Sequence, residues 1–142
     1  MPAGTAVIAL LVVVVVTLLL GAVLRRRTGR ARTATGDAHD LAPAADYGDR
    51  ATLVLFSTPT CARCPATARQ LDRLAQAHPG VARLDVDLTR RPELASRFSV
   101  AQTPTVLVVD ASRTVRTRFG GPPRPADVSA SLIAVLEETA RA

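Results

Sequence analysis

The chain has 142 residues, enough for one ordinary domain with accessory segments. Aromatic residues make up 3% and Trp is absent, so a core must be built from Ala, Val and Leu. The formal charge of +6 would invite a nucleic-acid partner if it were spread over a domain face, but its distribution argues against one. All eighteen basic residues are Arg, of which Arg25, Arg26, Arg27, Arg30 and Arg32 are crowded into one short stretch, and the thirteen that remain face twelve Asp and Glu.

Ala6 to Leu24 (AVIALLVVVVVTLLLGAVL) carries no charge and a single hydroxyl, Thr17. At about 1.5 Å rise per residue, a helix over residues 6–24 crosses a bilayer's hydrocarbon core. The Val run is a weak helix former in water, yet lipid offers unpaired backbone groups no partner and enforces the helix. A cleaved signal peptide competes with this reading. It would want a basic residue ahead of a shorter apolar run and a small-residue cleavage site. Here no basic residue precedes the run and a triple Arg follows it, which favours an uncleaved, single-pass anchor in the lipid bilayer. The positive-inside rule puts the arginine end, and a soluble domain after it, on the cytoplasmic side; the extracytoplasmic side stays open, because charge alone carries the assignment. The same cluster would attract anionic lipid headgroups.

Residues 25–49 read as a basic juxtamembrane segment and a flexible tether. Thr33 to Asp49 is small, polar and mildly acidic, with Gly36, Pro43 and Gly48 and no sustained period, apart from a short helical turn near Pro43 to Tyr47. His39 within it reads as solvated. The globular part is expected over residues 50–142. Thr52 to Phe56 is a continuous apolar run bounded by turn residues, suiting a strand buried on both faces. Cys61 to Ala77 reads as a helix stopped by His78-Pro79-Gly80. Val81 to Asp87 alternates as a second strand, so the three elements predict a right-handed unit with parallel strands. A short helix follows in Arg91 to Phe98, then a buried strand over Thr105 to Val109 and a hairpin partner over Thr114 to Phe119. Pro125 to Ala140 places Val128, Leu132, Val135 and Leu136 on one face of a closing helix. Asp85 and Asp87 read as strand-end caps, and Arg113, Arg116 and Arg118 as an exposed hairpin face.

The only two cysteines, Cys61 and Cys64, stand where the first strand gives way to the helix. A cysteine at a helix start meets unpaired N–H groups and the positive end of the helix dipole, which favour a thiolate. A second cysteine one turn on is close enough to form a disulfide with it. The spacing therefore suits an accessible attacking thiol at Cys61 and a more buried resolving thiol at Cys64. A structural zinc would need four ligands, and His39 and His78 stand at no ligand spacing from the pair, so no metal is expected. A purely structural disulfide across so short a loop would add little stability.

Two motifs in this order, Cys61-Ala62-Arg63-Cys64 at a strand-to-helix junction and Thr103-Pro104 just before a buried strand, resemble the thioredoxin family over roughly the last ninety residues. An apolar anchor ahead of them resembles the tethered thioredoxin-like proteins of bacteria. The resemblance implies an α/β fold, a central mixed β-sheet flanked by helices, here preceded by one transmembrane helix. It implies that Pro104 is a cis-proline facing the cysteines and that Thr103 and Pro104 hold a substrate chain by strand addition. Gly120 matches a glycine that the family keeps beside the site. The sequence departs from the family at Thr60, where Trp is usual, and at Ala62-Arg63, where Gly-Pro is usual. It also has Leu55 where the family has a buried Asp thought to move the resolving thiol's proton. Thr60 and Arg63 are the expected thiolate-tuning positions, the Arg63 cation favouring the Cys61 thiolate and a less reducing couple than ordinary thioredoxin.

The expected function is thiol–disulfide exchange with a protein disulfide or dithiol substrate, with no cofactor and with a separate redox partner to reset the pair. A membrane-tethered binding module with redox-sensitive cysteines is the alternative. A thiol pair that delivers a soft metal ion is a third.

Overall fold

Two apolar runs buried on both faces set up the sheet. In the computed structural model, which describes residues 3–141, strand β2 (Ala51–Ser57) sends Leu53 and Leu55 to one face and Val54 and Phe56 to the other, all fully buried. Strand β4 (Thr105–Asp110) does the same with Val106 and Val108 against Leu107 and Val109. Two short or half-exposed strands flank this pair: β3 (Val81–Asp87) runs parallel to β2, and β5 (Val115–Gly120) antiparallel to β4. A three-residue strand, β1 (Ala31–Thr33), closes the β5 edge, giving the order β1-β5-β4-β2-β3. The β2–β4 pair is antiparallel, so the sheet is mixed.

Each face needs its own cover, because a strand buried on both sides exposes apolar surface wherever a helix is missing. Helices α2 (Cys64–Gln76) and α4 (Pro125–Arg141) cover one face, where Leu71, Val128, Leu132, Val135 and Leu136 pack on Leu53, Leu55, Val106, Val108 and Phe119. On the other face lies only the five-residue helix α3 (Glu93–Arg97), with Leu94 buried. The remainder is supplied by the segment between β1 and β2. Ala38, Leu41 and Tyr47 are buried there against Val54, Phe56, Leu107 and Val115.

That segment corrects the expectation of a flexible tether. The Tyr47 hydroxyl donates to the Ala38 carbonyl and accepts from the Leu41 N–H at 3.2 Å, closing the segment on itself around a 3-10 turn at Ala44–Asp46. Arg97 of α3 pairs with the Asp40 carboxylate, and Arg91 donates to the Leu41 carbonyl at 2.8 Å. These bonds need the folded partner opposite, so no local period in the sequence announces them.

The hairpin arginines are a second correction. Arg113, at φ 63°, lies over the Tyr47 ring, 4.7 Å from its centroid. Arg116 bridges Asp110 and Glu138, and Arg118 donates to the carbonyls of Phe98 and Ser99 at the end of α3. They bind the hairpin to its neighbours and do not simply face solvent.

Helix α1 (Ala3–Arg27) precedes the sheet and ends in Arg25, Arg26 and Arg27. Its apolar stretch is exposed, and it is long and apolar enough to cross a membrane; length and composition suit a membrane span and a signal sequence alike.

Candidate functional site

Beyond Ser57 at the end of β2 the chain makes two successive turns before it becomes helical. The Cys61 N–H donates to the Thr58 carbonyl at 3.1 Å, and the Cys64 N–H to the Cys61 carbonyl at 3.3 Å. Helix α2 thus begins at Cys64, not at the expected Cys61. Pro65 is the reason: it has no N–H to return to the Cys61 carbonyl, and it is tolerated only in the first turn of a helix. The first bond of helical span is Thr67 N–H to the Arg63 carbonyl at 3.1 Å, reinforced by the Thr67 hydroxyl on the same oxygen.

Cys61 and Cys64 are joined in a disulfide with their Cα atoms 5.5 Å apart. Cys61 is half-buried, whereas Cys64 is 5% exposed and lies under the first turn of α2. The pair borders a shallow cavity of about 240 Å³ together with Ser57, Thr58, Pro65 and Asp85. Thr60 and Arg63, the expected tuning positions, are both exposed in the turns on either side of Cys61, and Arg63 has no acidic partner among the described residues.

The register of the sheet carries Thr103 and Pro104 to the same end as the cysteine turns. Thr105 is opposite Phe56, so the two residues before it lie beside the point where β2 runs into the cysteine loop. The Thr103–Pro104 bond is cis, as expected. Two bonds hold this loop: the Thr105 hydroxyl donates to the Gln102 carbonyl at 2.7 Å, and the Gly121 N–H to the Pro104 carbonyl at 2.8 Å. Gly121 sits at φ 92°, and a Cβ there would come within 2.5 Å of the Thr28 side chain, so this position requires glycine. Gly120, the expected glycine, ends β5 opposite Thr105, next to this loop, and accepts the Gly29 N–H through its carbonyl at 2.7 Å. Among the described residues, the N–H and C=O of Thr103 bond to nothing.

Asp85 is the site residue that sequence reasoning misplaced. Only Asp87 behaves as the expected cap, accepting the Thr89 N–H at 2.8 Å and the Thr89 hydroxyl at 2.7 Å. Asp85 lies across from Leu55 in the parallel register and accepts the Ser57 hydroxyl at 2.7 Å. Its other oxygen accepts from Arg83 at 3.0 Å, and Arg83 reaches on to Asp72 of α2. Burial works against the Arg83 cation, but hydrogen bonds and charge attraction from Asp72 and Asp85 outweigh it and raise its pKa, so it is a fixed positive charge here. Period-two alternation put Asp85 on the face opposite Val86; only the strand pairing shows that this is the cysteine face.

Comparison with known proteins agrees with this arrangement. The family model described as Thioredoxin matches residues 38–134, opening inside the segment expected to be a tether. Among solved structures the chain is similar to thioredoxin-2 of a malaria parasite, described as a component of that parasite's protein secretion machinery. Identity is 19% and TM-score 0.57, covering 72% of this chain and 96% of that one. It is also similar to thioredoxin from Trypanosoma brucei brucei (22% identity, TM-score 0.54, 66% of this chain and 80% of that one). A third likeness is to thioredoxin from Fasciola hepatica (25%, 0.53, 61% and 82%). The likenesses to the first two are likenesses of fold.

Proposed function

The chain belongs to the thioredoxin family, and on that premise we propose that it exchanges disulfides with protein substrates through Cys61 and Cys64. The observation that carries the proposal is the unequal exposure of a bonded pair: an accessible Cys61 joined to a buried Cys64 beside the Thr103–Pro104 loop. In the reducing direction the Cys61 thiolate attacks one sulfur of a substrate disulfide, forming a mixed disulfide and expelling a substrate thiolate. Cys64 then attacks Cys61, the mixed bond breaks, and the substrate leaves as a dithiol while the enzyme carries away the disulfide. Two electrons pass from the cysteine pair to the substrate, and a separate redox partner returns them. The oxidising direction reverses each step.

Thr103 and Pro104 hold the substrate chain in this reading. The unengaged backbone of Thr103 is what an added strand would pair with, main chain to main chain. Thr60 and Arg63 bias Cys61 toward the thiolate, the guanidinium by its charge. Helix α1 spans the bilayer through residues 6–24, and the arginines at its end put the domain on the cytoplasmic side.

Equilibration of the full chain, in detergent micelles, against glutathione buffers tests the reading. The expected result is reversible formation of the Cys61–Cys64 disulfide with a potential between roughly −270 and −120 mV, the span of the family's reductants and oxidants. Cys64→Ser should accumulate the mixed disulfide, and Cys61→Ser should exchange nothing. A pair that never forms a disulfide, or a double serine variant that keeps full function with its partner, would replace the enzyme by a binding module.

A further inference from the structure

Cys64 is 5% exposed, and burial disfavours the charged form of a thiol. Yet resolution of a mixed disulfide requires its thiolate, since the thiolate and not the thiol is the nucleophile. A proton must therefore leave Cys64 inside the structure. Leu55, fully buried in the apolar layer beneath α2, offers nothing to take it. Among the described residues, and besides the cysteines, the one ionisable group lining the cavity at the pair is Asp85.

Resting on the redox reading above, we infer that Asp85, held by Ser57 and Arg83, is the proton acceptor for Cys64 during resolution. The carboxylate stands on the strand beside Leu55, at its parallel register partner, so it approaches the cavity from β3 and not from β2. Each of its oxygens has one protein donor, Ser57 Oγ on one and Arg83 Nη1 on the other, and a carboxylate oxygen can accept a second. The charged and titratable groups facing it are Arg83 on β3, Asp72 on α2 by way of Arg83, and the two cysteines; β2 contributes the neutral Ser57. The Arg83 guanidinium anchors one oxygen of Asp85 at 3.0 Å and is itself shared with Asp72, which fixes where the carboxylate stands at the cavity wall. The cavity, about 240 Å³, is polar along this wall and roomy enough for a bridging water.

The step balances as follows. The Cys64 S–H proton passes through water to the Asp85 carboxylate; the Cys64 sulfur bonds Cys61, and the bond between Cys61 and the substrate sulfur breaks. The expelled substrate thiolate takes a proton from solvent, and Asp85 returns its own to solvent.

The reduced full chain in detergent micelles, mixed with excess 5,5′-dithiobis(2-nitrobenzoate), separates the two steps. The first equivalent of coloured thiolate reports attack by Cys61, the second reports resolution by Cys64. Asp85→Asn should leave the first phase unchanged and slow the second about a hundredfold or more at neutral pH, the low end of what a positioned base contributes. The acid limb of its pH–rate profile should move alkaline by about one unit or more, because resolution then waits on the ionisation of a thiol whose charged form burial disfavours. Asp85→Glu should restore most of the rate. A second phase whose pH profile superimposes on that of the unaltered protein would overturn the inference while leaving the redox reading intact. An unaltered protein that releases no thiolate would sink both. Loss of the first phase together with the second in Asp85→Asn, with Asp85→Glu equally impaired, would make Asp85 a purely structural anchor for Arg83 and would also overturn it.

Discussion

Cys61 and Cys64 are three residues apart, yet two features that are not cysteines set their exposures apart. Pro65 delays the helix so that Cys61 stays in an open turn, and α2 then covers Cys64. Arg63, between them, is exposed and without an acidic partner among the described residues, which leaves its charge free for the proposed tuning role. Removing it should make the couple more reducing: Arg63→Ala is expected to lower the potential measured against glutathione, by roughly 30 mV for each unit by which the cation depresses the thiol pKa. An unchanged potential would mean that solvent screens this arginine completely. Far from the pair, Tyr47 shows how much one residue can hold. Its hydroxyl joins Ala38 and Leu41, and its ring carries Arg113. Tyr47→Phe leaves both backbone groups without their partner and should cost about 1–3 kcal/mol in urea unfolding, with the m-value unchanged.

At the scale of elements, the segment before β2 acts as a missing cover for the sheet. Helix α3 is too short to shield Val54, Phe56, Leu107 and Val109, and residues 38–47 complete the layer. Part of the clasp is electrostatic and so depends on pH. The hydrogen bond from Arg97, aided by the charges of Arg97 and Arg91, holds the Asp40 carboxyl below the ordinary carboxylate range. A carboxyl whose pKa is depressed by folding stabilises the fold above its unfolded pKa and loses that contribution as pH falls through the folded one. The Tm difference between the unaltered protein and Asp40→Asn should accordingly be small, as for any exposed pair, present at neutral pH, and lost as pH falls through the depressed folded-state pKa of Asp40. Strand β1 is the other half of this region. A chain beginning at residue 37 would strip β1 from the β5 edge and leave its N–H and C=O groups unpaired. It should melt lower and aggregate more readily than a chain beginning at residue 28, which keeps β1, as thermal unfolding with light scattering would show.

For the molecule as a whole, the open question is which environment meets the cysteines, since disulfides persist in oxidising compartments and are reduced in the cytosol. The proposed topology makes a definite forecast. Full-length protein should stay with membranes after alkaline carbonate washing, and in inside-out vesicles Cys61 should react with a membrane-impermeant maleimide after reduction. Recovery of a chain lacking residues 6–24 would identify the helix as a cleaved signal. Labelling only in right-side-out vesicles would reverse the topology and place the pair in an oxidising space.

Much of this was written in local order. Two apolar runs bounded by turns were enough for β2 and β4, because a strand buried on both faces has no polar alternation to blur. Spacing singled out Cys61 and Cys64, the family resemblance singled out the Thr103–Pro104 pair, and nineteen uncharged residues marked α1, since length and hydropathy are properties of the chain itself. What the sequence could not disclose were relations between distant segments. Ala38, Leu41 and Tyr47 have no period of their own, and become core only when a sheet face stands opposite them. Asp85 looked like a strand cap until the parallel register set it beside Leu55 on the face of the cysteines. Burial and proximity are properties of a pair of surfaces, and a pair of surfaces exists only once the chain has folded.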